Sequence, residues 1–292
     1  MISDPRGLKI TGATRDQANK FEEVIKEYLD YRLSAYPSLK ELCENAPAFA
    51  MAHILKGFLL LSMGTTATVT GAKTCADHVR KMENLTKRER LHLKALDFWI
   101  SGDTKASCLI WDEILFSEPL DILAIKLQHF SLFWLGESLH MRATISRVFP
   151  HWDASLYGFA QLQGMYAFAL EECGDYNNAE RLGREAVERH PQDLWAIHAV
   201  AHVYEMQSNL KAGIHWLNQP LSEWKDRNPF KDHLWWHTAL FALEKGEFKQ
   251  VLRLYDEAVW PDDKSFYLDI QNAASLLARL ESFGVDVGDR WN

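Results

Sequence analysis

A turn-forming residue recurs along this chain at a nearly fixed interval. Gly64, Gly102, Gly136, Gly174, Asn209, Gly246 and Gly284 are separated by 38, 34, 38, 35, 37 and 38 residues, and Gly102, Gly174 and Gly246 lie 72 apart. Each mark follows an apolar pattern of helical period, and most precede another. One turn per unit at this period is the signature of stacked helical hairpins. Such a chain has no single compact core. Each hairpin buries its apolar faces against its neighbours, and the stack winds into a superhelix with a concave surface. The fold expected is therefore all-α, a right-handed α-solenoid, with function on its concave side.

Composition narrows the class. The chain has 292 residues, is 47% hydrophobic and carries a formal net charge of -8. That length suits two ordinary domains or one array, and the regular spacing favours one helical-repeat domain over 1–292. Residues 1–46 read as an N-terminal helix and lead-in, and 47–292 as about six to seven hairpins. The acidic balance leaves no footprint for nucleic acid, and Lys87-Arg88-Glu89-Arg90 is too short and mixed to supply one. No apolar run approaches the roughly 20 residues of a membrane span. The start, Met1 to Arg6, has no apolar stretch of the kind that opens a secretory signal. Cys43, Cys75, Cys108 and Cys173 are scattered, with no C-x-x-C pair. Scattered thiols read as reduced, which implies a cytoplasmic location.

Local signals place the helices. Thr14 with Gln17, and Thr86 with Glu89, are capping boxes that open helices. The first helix is expected over Arg15–Leu33. The first hairpin pairs Ala48–Ser62 with a trailing helix near Gly71–Met82, and Ala106–Phe116 trails the next. Pro119 lies 17 residues after Gly102 and Pro191 lies 17 after Gly174. Proline cannot continue a helix, so both mark exits from trailing helices. Ala179, Gly183 and Ala186 share one helical face, and small side chains there let two helices approach closely. No strand-like alternation of useful length is present.

The small residue, turn, Ala, Ala and Pro at fixed offsets resemble the tetratricopeptide repeat in a degenerate form. More specifically, Asp193 to Met206 (DLWAIHAVAHVYEM), His233 to His237 (HLWWH) and Gly284 to Trp291 (GVDVGDRW) resemble the tetratricopeptide-repeat protein 38 family. Weaker similarity runs from about Phe21 onward and includes Leu85 to Glu89. Family members usually continue past the Arg-Trp motif, so the resemblance implies a short variant or a copy lacking C-terminal repeats. It implies the fold and no reaction.

Histidines carry the functional signal. Seven of the 12 fall on leading helices: His53, His92, His129, His198, His202, His233 and His237. Counted back from the next mark, His53 and His198 sit at minus 11, and His129 and His202 at minus 7. Equal offsets imply similar depths on the concave face. His198, His202 and Glu205, at i, i+4 and i+7, form one stripe of a helix that is otherwise apolar all round. His233 and His237 repeat the i, i+4 spacing on the next leading helix, and Asp269 and Asn272 form an i, i+3 pair on the one after. Three adjacent helices are thus expected to converge on one pocket. Imidazole pairs at i, i+4 can chelate a metal through His198, His202, His233 and His237, and carboxylates orient such sites. Alone, they act as a proton relay or as partners for a polar ligand. The competing reading is plain packing, because a buried histidine needs a partner but not a ligand. Trp195, Tyr204, Trp235 and Trp236 read as helix packing. Arg279, Glu281 and Asp286 read as ordinary surface charge.

No G-x-S-x-G, P-loop or H-E-x-x-H is present, so no motif names an enzyme. The first expectation is a binding scaffold for a peptide, a protein segment or a small polar ligand in a His-lined concave pocket. The alternative is a metal-dependent or acid/base enzyme using the His/Glu/Asp cluster, although spacing alone does not lead one to expect a divalent metal. Bulky apolar neighbours around the histidines suit a narrow, enclosed site better than an open groove. Leu268, Leu276, Leu277 and Leu280 are expected to leave an apolar C-terminal face that drives homodimer formation.

Overall fold

The computed structural model describes residues 2–218, 220, 223–261 and 266–292. Its helices alternate as the ruler requires. A lead-in pair, α1 (Arg15–Leu29) and α2 (Ala35–Asn45), is followed by α3 (Ala50–Ser62) with α4 (Thr66–Arg80), α5 (Lys87–Ile100) with α6 (Thr104–Ser117), and α7 (Ile122–Trp134) with α8 (Ser138–Val148). Next come α9 (Phe159–Glu171) with α10 (Tyr176–Arg189), α11 (Leu194–Met206) with α12 (Leu210–Trp216), and α13 (Phe230–Glu244) with α14 (Phe248–Leu254). The last of these continues as a π turn over Tyr255–Val259, and α15 (Tyr267–Ser282) leads to a 3-10 turn over Gly288–Trp291. The stack is a right-handed α-solenoid of tetratricopeptide-like hairpins.

The ruler marks are the turns. Gly64, Gly102, Gly136, Gly174, Gly246 and Gly284 all adopt φ between 67° and 86°. That left-handed region suits glycine because it has no Cβ. In the remaining unit Ser208 takes this conformation at φ 55°. Asn209 then caps α12 by accepting the Ala212 N–H. Both capping boxes form, at Thr14/Gln17 and Thr86/Glu89. Pro119 and Pro191 follow the ends of α6 and α10. The small face of α10 is used as read: a Cβ on Gly183 would lie 2.5 Å from Val200 Cγ2 on α11.

Some boundaries differ from the sequence expectation. α1 ends at Leu29, not Leu33, because Tyr31 turns the chain with φ 58°. α4 begins at Thr66, well before Gly71. The N-terminus also forms a two-residue antiparallel pairing of β1 (Ile2–Ser3) with β2 (Lys9–Ile10). The buried Arg6 guanidinium holds that loop against α1 through Asp4 at 3.1 Å and Glu22 at 2.7 Å.

Most buried apolar side chains form one continuous cluster from Ile10 to Val287, with Leu60, Ala72 and Cys75 as a small satellite between α3 and α4. The expected C-terminal leucine face is not uncovered. Leu276, Leu277 and Leu280 are at most 1% exposed, since α15 packs on α13, the π turn and the final 3-10 turn. Leu268 is half-buried. Ile270, Phe283 and Trp291 are the large apolar side chains left exposed there. Among the described residues no helix is long and apolar enough to cross a membrane.

One tertiary feature goes beyond hairpin stacking. The left-handed turn after α1 reaches across the concave side to the segment before α13. Asn228 N–H donates to Tyr31 O at 2.8 Å, and Leu33 N–H donates to Asp226 O at 3.1 Å. The buried Arg227 donates to Asp30 O at 2.5 Å and to Gln192 Oε1 at 2.6 Å. Arg32 also donates to Gln192 Oε1 at 2.6 Å and pairs with Asp226. The rim of the superhelix is thereby bridged.

Candidate functional site

Beneath this bridge lies a cavity of about 740 Å³. Aromatic rings dominate its walls: Tyr31 from the lead-in, Phe130 from α7, Trp195 from α11, Phe230 and Trp236 from α13, and Tyr267 from α15. On one side Trp134 meets Tyr267 edge-on, with ring centroids 5.5 Å apart. His198, His202, Glu205, His233, His237 and Asn272 form one polar patch of the lining, which also includes Arg32 and Lys126.

The imidazoles meet at their Nε2 atoms. His198 Nε2 lies 3.1 Å from His233 Nε2, His233 Nε2 lies 3.1 Å from His237 Nε2, and His237 Nε2 lies 3.2 Å from His202 Nε2. The i, i+4 spacing on α11 and α13 aims two rings from each helix at one point. The opposite edges of three rings face oxygen atoms. His237 Nδ1 is 2.8 Å from Glu205 Oε2, His233 Nδ1 is 3.1 Å from Asn272 Oδ1, and His202 Nδ1 is 3.4 Å from Glu171 Oε2. Phe168 stacks on His198 and Trp236 stacks on His233, each pair with centroids 5.3 Å apart.

Burial governs the charges. It pushes His198, His233 and His237 well below the usual imidazole range, and mutual repulsion adds to the effect. The rings are therefore neutral near pH 7. Burial also raises the Glu205 carboxyl, against the pull of His202, Arg279 and His233. Arg279, read from sequence as plain surface charge, lies over the Trp236 ring at 5.7 Å. His198, His202, His233 and His237 have the geometry to hold a metal, as their nearest nitrogens all lie within 4.8 Å of one another. Glu171, Glu172 and His202 form a second, overlapping group.

Sequence reading missed three contributors. Lys126 is 3% exposed in the apolar α7, hydrogen-bonded to the Tyr31 hydroxyl. Its Nζ sits 4.4 Å from the Tyr31 ring centre and 4.7 Å from that of Trp195. Burial lowers its pKa to about 7, with Asp193 opposing. A lone lysine in an otherwise apolar helix was the available signal. Tyr31 and Glu171 gave none, since one lies in an irregular lead-in and the other in a Glu-Glu pair that resembles surface charge.

Four expected site residues lie elsewhere. His53 is on α3, against His78 with ring centroids 4.4 Å apart, and burial lowers it to about 4. His92 is fully buried and meets Asp121 Oδ2 at 2.8 Å, as does Arg88 Nη1. Burial opposes the Asp121 charge, but Arg88 and His92 outweigh it and hold that carboxyl well below the usual range. Asp121 also caps α7 through the Ala124 N–H, so His92 belongs to a structural joint. His129 supports the cavity wall from behind, with Trp195 Nε1 donating to its Nε2 at 3.1 Å. Asp269 is buried on α15 and does not line the cavity. It sits about 4.5 Å along the axis from Asn272, whose Oδ1 meets His233 Nδ1. Equal offsets from the turns thus did not give equal positions, because each repeat rotates relative to the last.

No model of a known protein family matches the chain. Among solved structures, a tetratricopeptide repeat protein from Parabacteroides merdae superposes with TM-score 0.55 at 14% identity, covering 89% of this chain and 99% of that one. The Naa15/Naa10 complex bound to HypK-THB gives TM-score 0.35 at 12% identity over 92% of this chain and 42% of that one. The P58(IPK) TPR domain gives 0.31 at 14% identity over 86% and 84%. The first of these likenesses establishes the tetratricopeptide-like solenoid fold and nothing finer.

Proposed function

We propose that this chain is a tetratricopeptide-like binding protein that holds a small ligand in the bridged concave cavity, not a peptide along an extended groove. The observation that carries this reading is the bridge from Asp30–Leu33 to Asp226–Asn228 over a cavity of about 740 Å³. That volume falls in the range of sites for compact ligands. The ligand class is largely apolar or aromatic with one polar end, because rings line the walls and the imidazoles form one polar patch. The motifs at Asp193, His233 and Gly284 support placement near the tetratricopeptide-repeat protein 38 family. Unpaired Cys43, Cys75, Cys108 and Cys173 support a reducing, cytoplasmic setting.

The test uses anilinonaphthalene sulfonate, an aromatic probe with one anionic end. One saturable site per chain is expected. Ser62→Trp, which places an indole in the lining, should weaken binding by about tenfold or more, roughly 1.4 kcal/mol. Its melting temperature should stay near that of the parent. Equal binding to both proteins, or none to either, would sink the reading.

A further inference from the structure

The four imidazoles crowd their Nε2 atoms together on the cavity wall, with three separations of 3.1, 3.1 and 3.2 Å. A neutral imidazole has one N–H and one lone pair. The Glu205 carboxylate accepts only, so His237 carries its proton on Nδ1 and presents a bare Nε2. Two other Nε2 atoms, from His202 and His233, lie within 3.2 Å of that nitrogen. Its single lone pair accepts one N–H, not two. With its proton on Nδ1, facing Glu171 Oε2 at 3.4 Å, a neutral His202 likewise presents a bare Nε2. If His233 donates, its Nδ1 must give up the Asn272 oxygen, and its Nε2 still faces His198 Nε2 at 3.1 Å. With protons on the three Nδ1 atoms that face oxygen, the Nε2 lone pairs of His202, His233 and His237 turn toward one another, and His198 Nε2 lies 3.1 Å from that of His233. His198 and His237 are each 2% exposed.

We propose that His198, His202, His233 and His237 bind one divalent first-row transition ion through their Nε2 atoms. A tetrahedral ion with metal–nitrogen bonds of about 2.0–2.1 Å spaces its ligands by about 3.3–3.4 Å. The three shortest separations here are 3.1, 3.1 and 3.2 Å. Metal-bound histidines characteristically donate the other ring N–H to a carboxylate or carbonyl oxygen. Glu205 and Asn272 stand at those positions for two of the four rings, and Glu171 Oε2 lies 3.4 Å from His202 Nδ1 without a hydrogen bond. The Glu205 and Glu171 carboxyl groups stand beside the ligand rings, outside the ligand set. Four nitrogen donors with no thiolate select zinc, copper, nickel, cobalt or iron over magnesium and calcium. The ion would sit in the cavity lining and give a ligand's polar end a coordinating partner. The proposal rests on the cavity reading only for that last role.

The experiment uses full-length untagged protein, stripped with a chelator and titrated with Co²⁺ and then Zn²⁺. One equivalent of Co²⁺ should give the intense visible absorption of a tetrahedral nitrogen site, and Zn²⁺ should displace it with a Kd below about 1 μM. Glu205→Gln keeps all four ligands and should weaken binding about 10- to 100-fold. His237→Ala should weaken it further. The His53–His78 pair is a control, so His78→Ala should leave binding unchanged. Metal should raise the melting temperature of the parent and not that of His237→Ala. Absent visible absorption, binding unmoved by Glu205→Gln and His237→Ala, or loss in His78→Ala each overturns the proposal. Anilinonaphthalene sulfonate binding separates the two readings: a protein that binds the probe but no added metal fails only the ion site, and one that binds metal but not the probe fails only the cavity reading.

Discussion

At the scale of single residues, His202 couples the two halves of the cluster, touching His237 by Nε2 and facing Glu171 by Nδ1. His202→Ala should keep the helical fold, since alanine suits α11. Glu171 is 5% exposed and would lose its imidazole, at a cost of about 1–3 kcal/mol. Probe and metal binding should fall while the far-ultraviolet dichroism stays the same. A variant that melts lower yet binds normally would assign His202 to packing alone. Lys126 gives a pH signature. Burial lowers the folded amine to about 7, whereas the unfolded amine keeps its proton to about 10.4. Between those values the unfolded chain binds more protons, so this residue makes stability rise with pH. The groups facing it are the Tyr31 hydroxyl, itself raised by burial, and Asp193, raised by burial to about 6. The Asp193 contribution runs the other way and in a lower window, between about 4 and 6. Lys126→Met should flatten the alkaline rise in denaturant midpoint, and an unchanged slope would show the lysine to be charged. Five of the six polar lining residues above were legible as helix stripes, and Asn272 as half of a pair. Lys126, Tyr31 and Glu171 were not, because their neighbours in space are remote in sequence.

At the scale of elements, glycine serves two purposes that substitution separates. Gly174 holds φ 78° with nothing within 4 Å of an added Cβ. Gly174→Ala therefore carries only the left-handed penalty, about 1–2 kcal/mol. Gly213 is helical, and its added Cβ would lie 2.3 Å from the Phe241 ring. Gly213→Ala pushes α12 off α13 and should cost about 1–3 kcal/mol, as overpacking does. Asparagine tolerates the left-handed region, so Gly174→Asn should recover much of the first loss, whereas Gly213→Asn should lose more than Gly213→Ala. Urea midpoints for the four variants check the ordering. Helix pairing and turn placement were readable here because both depend on neighbours along the chain. The end of α1 was misplaced because Tyr31, a residue with no turn preference, takes a left-handed conformation that tertiary contacts with Lys126, Asn228, Trp195 and Phe230 sustain.

For the whole molecule, the decisive contact is the rim bridge. Arg227 is 2% exposed and ties the lead-in turn to Gln192 and to the approach of α13. Arg227→Ala leaves Asp30 O and Gln192 Oε1 short of a charged donor, at about 1.5–3 kcal/mol. It should open the cavity locally without unfolding the stack. Faster amide exchange is expected in 28–36 and 223–230, with the α9–α10 pair unaffected, and the aromatic probe should bind more weakly. Exchange that quickens uniformly along the chain would show that the bridge supports global stability instead.

The sequence alone determined the hairpin ruler, the left-handed turns, the capped helix starts and the two imidazole stripes. All of these follow from periods of a few residues or from one repeat meeting the next. The tertiary structure decided which histidines meet. Repeat-to-repeat rotation carried His53 and His92 away from the cluster and brought α11, α13 and α15 together at one point. It also decided that the concave side is bridged, since Tyr31 and Asn228 are nearly two hundred residues apart. No local pattern encodes a contact of that kind, because its existence depends on the summed curvature of every hairpin between.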